Sequence, residues 1–152
     1  MITATQQLED YLESFNQFEK LAVGHDLPWL RKLRRHAFAR FCEVGFPTTH
    51  DEDWRFTNVS TIGRTPFRFT RNDRTRLSQQ ELELYRVAGV ACHLVFVNGR
   101  FARELSLLGK LPDGVKVSNL AGEISGNPRA IEPHLGRYLD IHRDAFSALN
   151  TA

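Results

Sequence analysis

The chain has 152 residues, 41% of them apolar and 25% charged, with 20 Lys and Arg against 18 Asp and Glu for a net charge of +2. These proportions exclude disorder throughout, and so small a net charge gives little support to a polyanion partner. No stretch approaches the roughly 18 consecutive apolar residues of a membrane span, and no N-terminal run resembles a signal peptide.

The length suits one domain, or a domain with an extension, and lets roughly 70% of the unfolded surface be buried. Eleven phenylalanines against one methionine favour a rigid aromatic core. The two cysteines, Cys42 and Cys92, stand far apart with no CxxC pair. That spacing argues against a disulfide scaffold or a cysteine zinc site. A cytoplasmic, reducing setting is the default expectation.

Taken in order, Thr5 to Ala22 carries Leu8, Tyr11, Leu12, Phe15, Phe18 and Ala22 at helical spacing. The pattern predicts an amphipathic helix with Thr5 as its N-cap and Gly24 beyond its end. Pro28 opens a second helix at a first-turn position, where a missing N–H is harmless. Its apolar stripe is Trp29, Leu30, Leu33, Ala37, Phe41 and Val44, and Gly45 ends it. The run Arg31–Arg35 (RKLRR) reads as a solvated basic face, which Glu9 and Glu13 of the first helix would complement.

The stretch Gly45–Val59, GFPTTHDEDWRFTNV, follows. His50, Asp51, Glu52 and Asp53 are consecutive, and four neighbours in a loop rarely converge on one ion. Asp51 or Asp53 is expected to close a turn through nearby backbone. Trp54 would then bury a large ring at the start of a short strand-like segment, with Arg55 shielding it or pairing with an acid. From Ser60 to Leu77 the composition shifts to Arg64, Arg68, Arg71, Arg74 and Arg76 among Thr and Phe. Phe67 and Phe69 bracket Arg68 with a strand's period of two. Basic residues interleaved with aromatics also suit a single-strand-binding surface.

Ser78 with Glu81 has capping-box spacing ahead of a helix ended by Gly89. His93 to Val97 is a continuous apolar run, expected as a strand covered on both faces. Asn98-Gly99 predicts a two-residue type I′ hairpin, with Arg100 to Leu105 as the return strand. Val115 to Leu120 would add a strand after the turn at Pro112-Asp113-Gly114. Three short helices are expected at Leu120–Ser125, Ile131–Tyr138 and Arg143–Leu149. The fold class is therefore α+β: an N-terminal helical hairpin, then a small mixed α/β unit with a β-hairpin. Its expected parts are a helical hairpin with a Trp-centred loop (1–59), a surface connection (60–77) and a small α+β unit (78–152).

The chain contains no glycine-rich phosphate loop, no GxSxG, no HExxH and no dinucleotide fingerprint. On its residues alone, a non-enzymatic domain is the better reading. The alternatives are a nucleic-acid-binding module using Arg31, Lys32, Arg35 and the arginines of 64–76, and a small hydrolase using Cys42 or Cys92 with a histidine.

Three words stand in a telling order: GFPTTHDEDWRFTNV at Gly45–Val59, LVFVNGRF at Leu94–Phe101 and AFSALNTA at Ala145–Ala152. Together they resemble the N-terminal region of the SufD proteins, iron–sulfur cluster assembly proteins related to SufB. The family word of Phe-Pro-Thr, an acid, Trp, a basic residue, an aromatic and Thr is met here by Phe46, Pro47, Thr48, Asp53, Trp54, Arg55, Phe56 and Thr57. The resemblance implies a non-catalytic accessory domain that ends before a β-helix core. Its partners would be SufB-like and SufC-like subunits, reached through regions beyond this chain, and self-association is possible. The iron–sulfur cluster would belong to the whole complex, with no cofactor, metal or catalytic residue here. The motif residues Pro47, Thr48, Asp53, Trp54, Arg55, Phe56 and Thr57, together with Asn98 and Gly99, would then serve architecture.

Overall fold

The computed structural model describes residues 4–65, 67 and 77–152. It is mixed α+β and falls into two compact units. The first comprises residues 1–69 and 121–152, and the second residues 70–120. Phe69 and Arg68, expected in a short strand, and Arg71, Arg74 and Arg76 lie outside the described residues; Phe67 is exposed.

In the first unit, α1 spans Ala4–Leu21 and α2 spans Pro28–Val44, with Pro28 in the first turn of α2 as its fixed φ allows. Thr5 is not a cap; it lies inside α1, whose start is at Ala4. Gly45, at φ 64°, receives the end of α2, and its N–H donates to the Phe41 carbonyl. Gly24 turns the chain between the two helices at φ 74°. A Cβ there would stand 2.7 Å from Ile124 Cγ2 and 2.8 Å from Leu30 Cδ2, so position 24 needs glycine for both its backbone and its neighbours.

The chain then runs through a 3₁₀ turn at Glu52–Trp54 and α3 at Ser60–Arg64. It returns to this unit through α5 (Leu120–Gly126), α6 (Pro128–Ile131) and α7 (Ala145–Thr151). The helix expected over Ile131–Tyr138 is only the end of α6 followed by turns, and α7 begins two residues after Arg143. Asp144 sets that start, because its side chain caps the Ser147 N–H.

The core of this unit is where α2 meets α7. Phe38 and Phe41 of α2 are buried against Ala145 and Ala148 of α7, whose small side chains leave room for the rings. Leu8, Tyr11 and Phe15 of α1 cover them from the other side. Phe15 and Phe38 stack with centroids 4.1 Å apart, and Phe41 meets Phe46 edge-on at 5.1 Å. The edge-on geometry is one that aromatic pairs favour.

The basic run on α2 is not uniformly solvated. Arg34 is buried, and both its terminal nitrogens donate to the Val23 carbonyl at 3.2 Å. Its guanidinium lies 5.1 Å from the centre of the Phe18 ring. Burial pushes its pKa down from the ordinary arginine value. Arg35 forms a two-pronged ion pair with Glu19, at 2.6 and 2.9 Å. The acid that complements this face is therefore Glu19, one turn or more beyond Glu9 and Glu13. Arg31 and Lys32 remain exposed.

In the second unit, Ser78 and Glu81 form the expected capping box at the start of α4 (Gln79–Leu82), which continues as a 3₁₀ turn to Tyr85. Four two-residue strands follow: β1 (Cys92–His93), β2 (Phe96–Val97), β3 (Arg100–Phe101) and β4 (Leu107–Leu108). β2 pairs antiparallel with β3, Val97 opposite Arg100, around Asn98 at φ 48° and Gly99 at φ 77°. Two adjacent positive φ angles are the type I′ signature that Asn-Gly predicts.

Four expectations fail in this unit. The helix expected to run to Gly89 stops at Tyr85. The run His93–Val97 is not one strand covered on both faces: it breaks into β1 and β2, and Leu94 and Phe96 are exposed. The break has a non-local cause, since the Ser106 hydroxyl, eleven residues on, accepts the Val95 N–H at 2.9 Å and donates to the Ala102 carbonyl at 2.7 Å. The return strand ends at Phe101, because Arg103–Leu105 winds into a 3₁₀ turn. Residues Val115 to Leu120 form no strand; the partner of β1 is β4, with Cys92 opposite Leu108. Gly109 permits that pairing, since its N–H reaches the Ala91 carbonyl at 2.9 Å and a Cβ would stand 2.4 Å from that oxygen.

A candidate docking cleft at the Trp54 turn

The first unit carries a cleft of about 340 Å³ beside the Trp54 turn. One wall is the C-terminal end of α2 and its exit, from Arg40 and Val44 to Phe46 and Pro47. The second is the acidic turn Asp51–Trp54, and the third is His142–Ala145 leading into α7. Two distant parts of the chain thus form one concave surface.

Local hydrogen bonds fix the acidic turn. A single Asp51 carboxylate oxygen accepts the Thr48 N–H at 2.7 Å and the Thr48 hydroxyl at 3.1 Å. The Thr48 N–H, followed by the Thr48 hydroxyl, holds the Asp51 carboxyl below its ordinary pKa. The Trp54 N–H then donates to the Asp51 carbonyl, and the Thr57 N–H to the Trp54 carbonyl. These successive turns are why the segment coils and does not extend into the expected strand-like run.

Trp54 is half-buried, and its ring lies 5.1 Å from that of Phe146. Phe146 in turn meets Phe46 at 5.7 Å, so the cleft's aromatic floor is continuous with the core. Arg55 neither covers Trp54 nor pairs with an acid among the described residues; its guanidinium sits 5.6 Å from the Phe56 ring centre. Phe56 is 95% exposed, the most exposed large apolar side chain described. On the opposite wall Asp144 accepts both the Ser147 N–H and its hydroxyl at 2.9 Å. The Ser147 N–H is the main reason its carboxyl lies below the ordinary range.

Of the motif residues, Pro47, Asp53 and Trp54 line the cleft, and Thr48 braces it from beneath through Asp51. Arg55, Phe56 and Thr57 lead away from it as exposed residues. Asn98 and Gly99 shape the hairpin of the second unit. Sequence reasoning missed the third wall. His142 and Arg143 carry no local signal; Asp144 does, as the N-cap residue of α7, and the AFSALNTA word beginning at Ala145 touches that wall.

Cys42 is half-buried, and burial raises its thiol pKa, which disfavours the thiolate a nucleophile needs. No group of three or more His, Cys, Asp or Glu among the described residues is placed to hold a metal ion. Among those residues no helix is long and apolar enough to cross a membrane. No curated protein and no solved structure matches the chain. A family model matches residues 5–152, all but the first four, and takes in the cleft and the hairpin alike. The chain belongs to the family described as the SufBD protein N-terminal region.

Proposed function

We propose that this chain is the N-terminal accessory domain of a SufD-like scaffold subunit in iron–sulfur cluster assembly, working by contact and not by catalysis. The family match over residues 5–152 carries the reading. Its support for a SufD-like subunit in particular is the order of the three words, from Phe46-Pro47-Thr48 through Asn98-Gly99 to Ala145–Ala152. Architectural roles suit Thr48, Trp54, Asn98 and Gly99, which respectively brace a turn, join a cleft to a core and shape a hairpin.

In this reading the partners are SufB-like and SufC-like subunits in a cytoplasmic complex. The cluster is the complex's cargo and not a resident cofactor of this domain. The test is to co-express the full-length protein bearing this chain with its SufB-like and SufC-like neighbours and purify by one affinity tag. A stable complex holding all three is expected. Recovery of the tagged protein alone, from cells that make soluble neighbours, would overturn the assignment.

A further inference from the structure

We infer that the cleft at the Trp54 turn docks an arginine-bearing peptide segment of a partner protein, its guanidinium seated between the Trp54 ring and the carboxylates of Glu52 and Asp53. The inference concerns this surface alone and holds whichever scaffold subunit the domain serves.

The charge left over in the cleft points to a cation. Its lining has four carboxylates against two guanidiniums and one imidazole. Both guanidiniums are already matched: Arg40 to Glu43 at 3.2 Å, Arg143 to Asp144 at 3.8 Å. Asp51 is engaged by Thr48, and Asp144 also caps α7. Glu52 and Asp53 alone among the four acids have no hydrogen bond or ion pair to their side chains among the described residues, and both are exposed. Their uncompensated charge sits next to a half-buried indole. A flat cation stacked on tryptophan, with carboxylates at its edge, is an arrangement guanidinium fills better than ammonium.

The rest of the lining favours a peptide over a free small cation. Val44, Phe46, Pro47 and Ala145 give the cleft apolar walls, which suit a chain's uncharged atoms. Arg40, on the same lining, keeps a buried Nε–H with no acceptor. A buried donor without a partner is costly, and a peptide carbonyl is the kind of group that relieves it. A peptide brings the cation and the carbonyl together, whereas a bare cation brings only the first.

The test uses the whole chain and a blocked Gly-Arg-Gly peptide, with a blocked Gly-Glu-Gly peptide and agmatine as comparisons. The readout is the Trp54 indole N–H resonance, assigned by its persistence in Trp29→Phe. A saturable shift is expected with the arginine peptide, weaker with agmatine and absent with the glutamate peptide. Glu52→Gln with Asp53→Asn, both exposed substitutions, should weaken the arginine peptide about fivefold, the scale of two exposed ion pairs. Added salt should weaken it as well. No saturable shift, or equal affinity in the double variant, would overturn the cation site. Tighter binding of the glutamate peptide would do the same. Agmatine binding as tightly as the peptide would overturn the choice of a peptide.

Discussion

Trp54 and Phe56 stand two residues apart and meet opposite fates. The indole packs on Phe146, while the phenyl ring is 95% exposed. A strand would put both rings on one face; the 3₁₀ turn closed by Asp51 is what parts them. Because Trp54 is half-buried, Trp54→Ala should cost about 2 kcal/mol, less than the roughly 3–5 of a fully enclosed ring. The urea midpoint measures it, and a loss under about 0.5 kcal/mol would show that Phe46 and Phe146 hold the cleft floor without the indole. Arg34 shows the converse limit of residue-scale reading. Lying in a run of basic residues, it donates to the Val23 carbonyl just past the end of α1, while its neighbour Arg35 stays exposed and pairs with Glu19. Sequence reading saw the run but not which member turns inward.

At the scale of elements, several signals that act within four residues were legible, and those that depend on distant groups were not. The capping box of Ser78 and Glu81, the first-turn Pro28 and the positive φ pair at Asn98-Gly99 all follow from local backbone chemistry. The apolar run His93–Val97 shows what cannot be read locally. Its division depends on the Ser106 hydroxyl, eleven residues after Val95. Likewise β4 takes the place expected for Val115–Leu120 because Gly109 lets the chain approach Ala91. Helix α7 is short, so its cap weighs heavily on its stability. Asp144→Ala removes the acceptor for the Ser147 N–H and hydroxyl, and should cost about 1 kcal/mol, as N-cap losses do. Asp144→Asn keeps an acceptor and should recover most of it. Equal losses in the two variants, read from thermal unfolding, would mean the cap contributes nothing beyond charge.

For the whole molecule, the aromatic content of the sequence foretold an aromatic core but not its second half. Ala145 and Ala148 look unremarkable in a list of residues, yet they are what α2 packs on. The same return of the chain brings His142–Ala145 to the cleft, so the site was half legible: its acidic, Trp-bearing wall could be read and its facing wall could not. One property sums over four separate carboxylates. Glu19, Asp51, Glu81 and Asp144 all have carboxyl pKa values below the ordinary range. The main cause is the Arg35 side-chain hydrogen bond for Glu19. It is a backbone N–H for the others: Thr48 for Asp51, Ser78 for Glu81 and Ser147 for Asp144. A carboxyl whose folded pKa is depressed binds protons more readily unfolded. Its contribution is therefore complete above the unfolded value of about 4 and is lost as pH falls through the folded value. Thermal midpoints should be insensitive to these four groups from neutral pH down to about 5, then fall progressively below about 4. Glu19→Gln removes the proton uptake at the Arg35 pair, so the variant should start less stable at neutral pH and show a shallower acid decline. A midpoint that holds steady to about pH 2, or a Glu19→Gln curve parallel to the parent's throughout, would show that these hydrogen bonds do not distinguish the folded carboxylates from the unfolded ones.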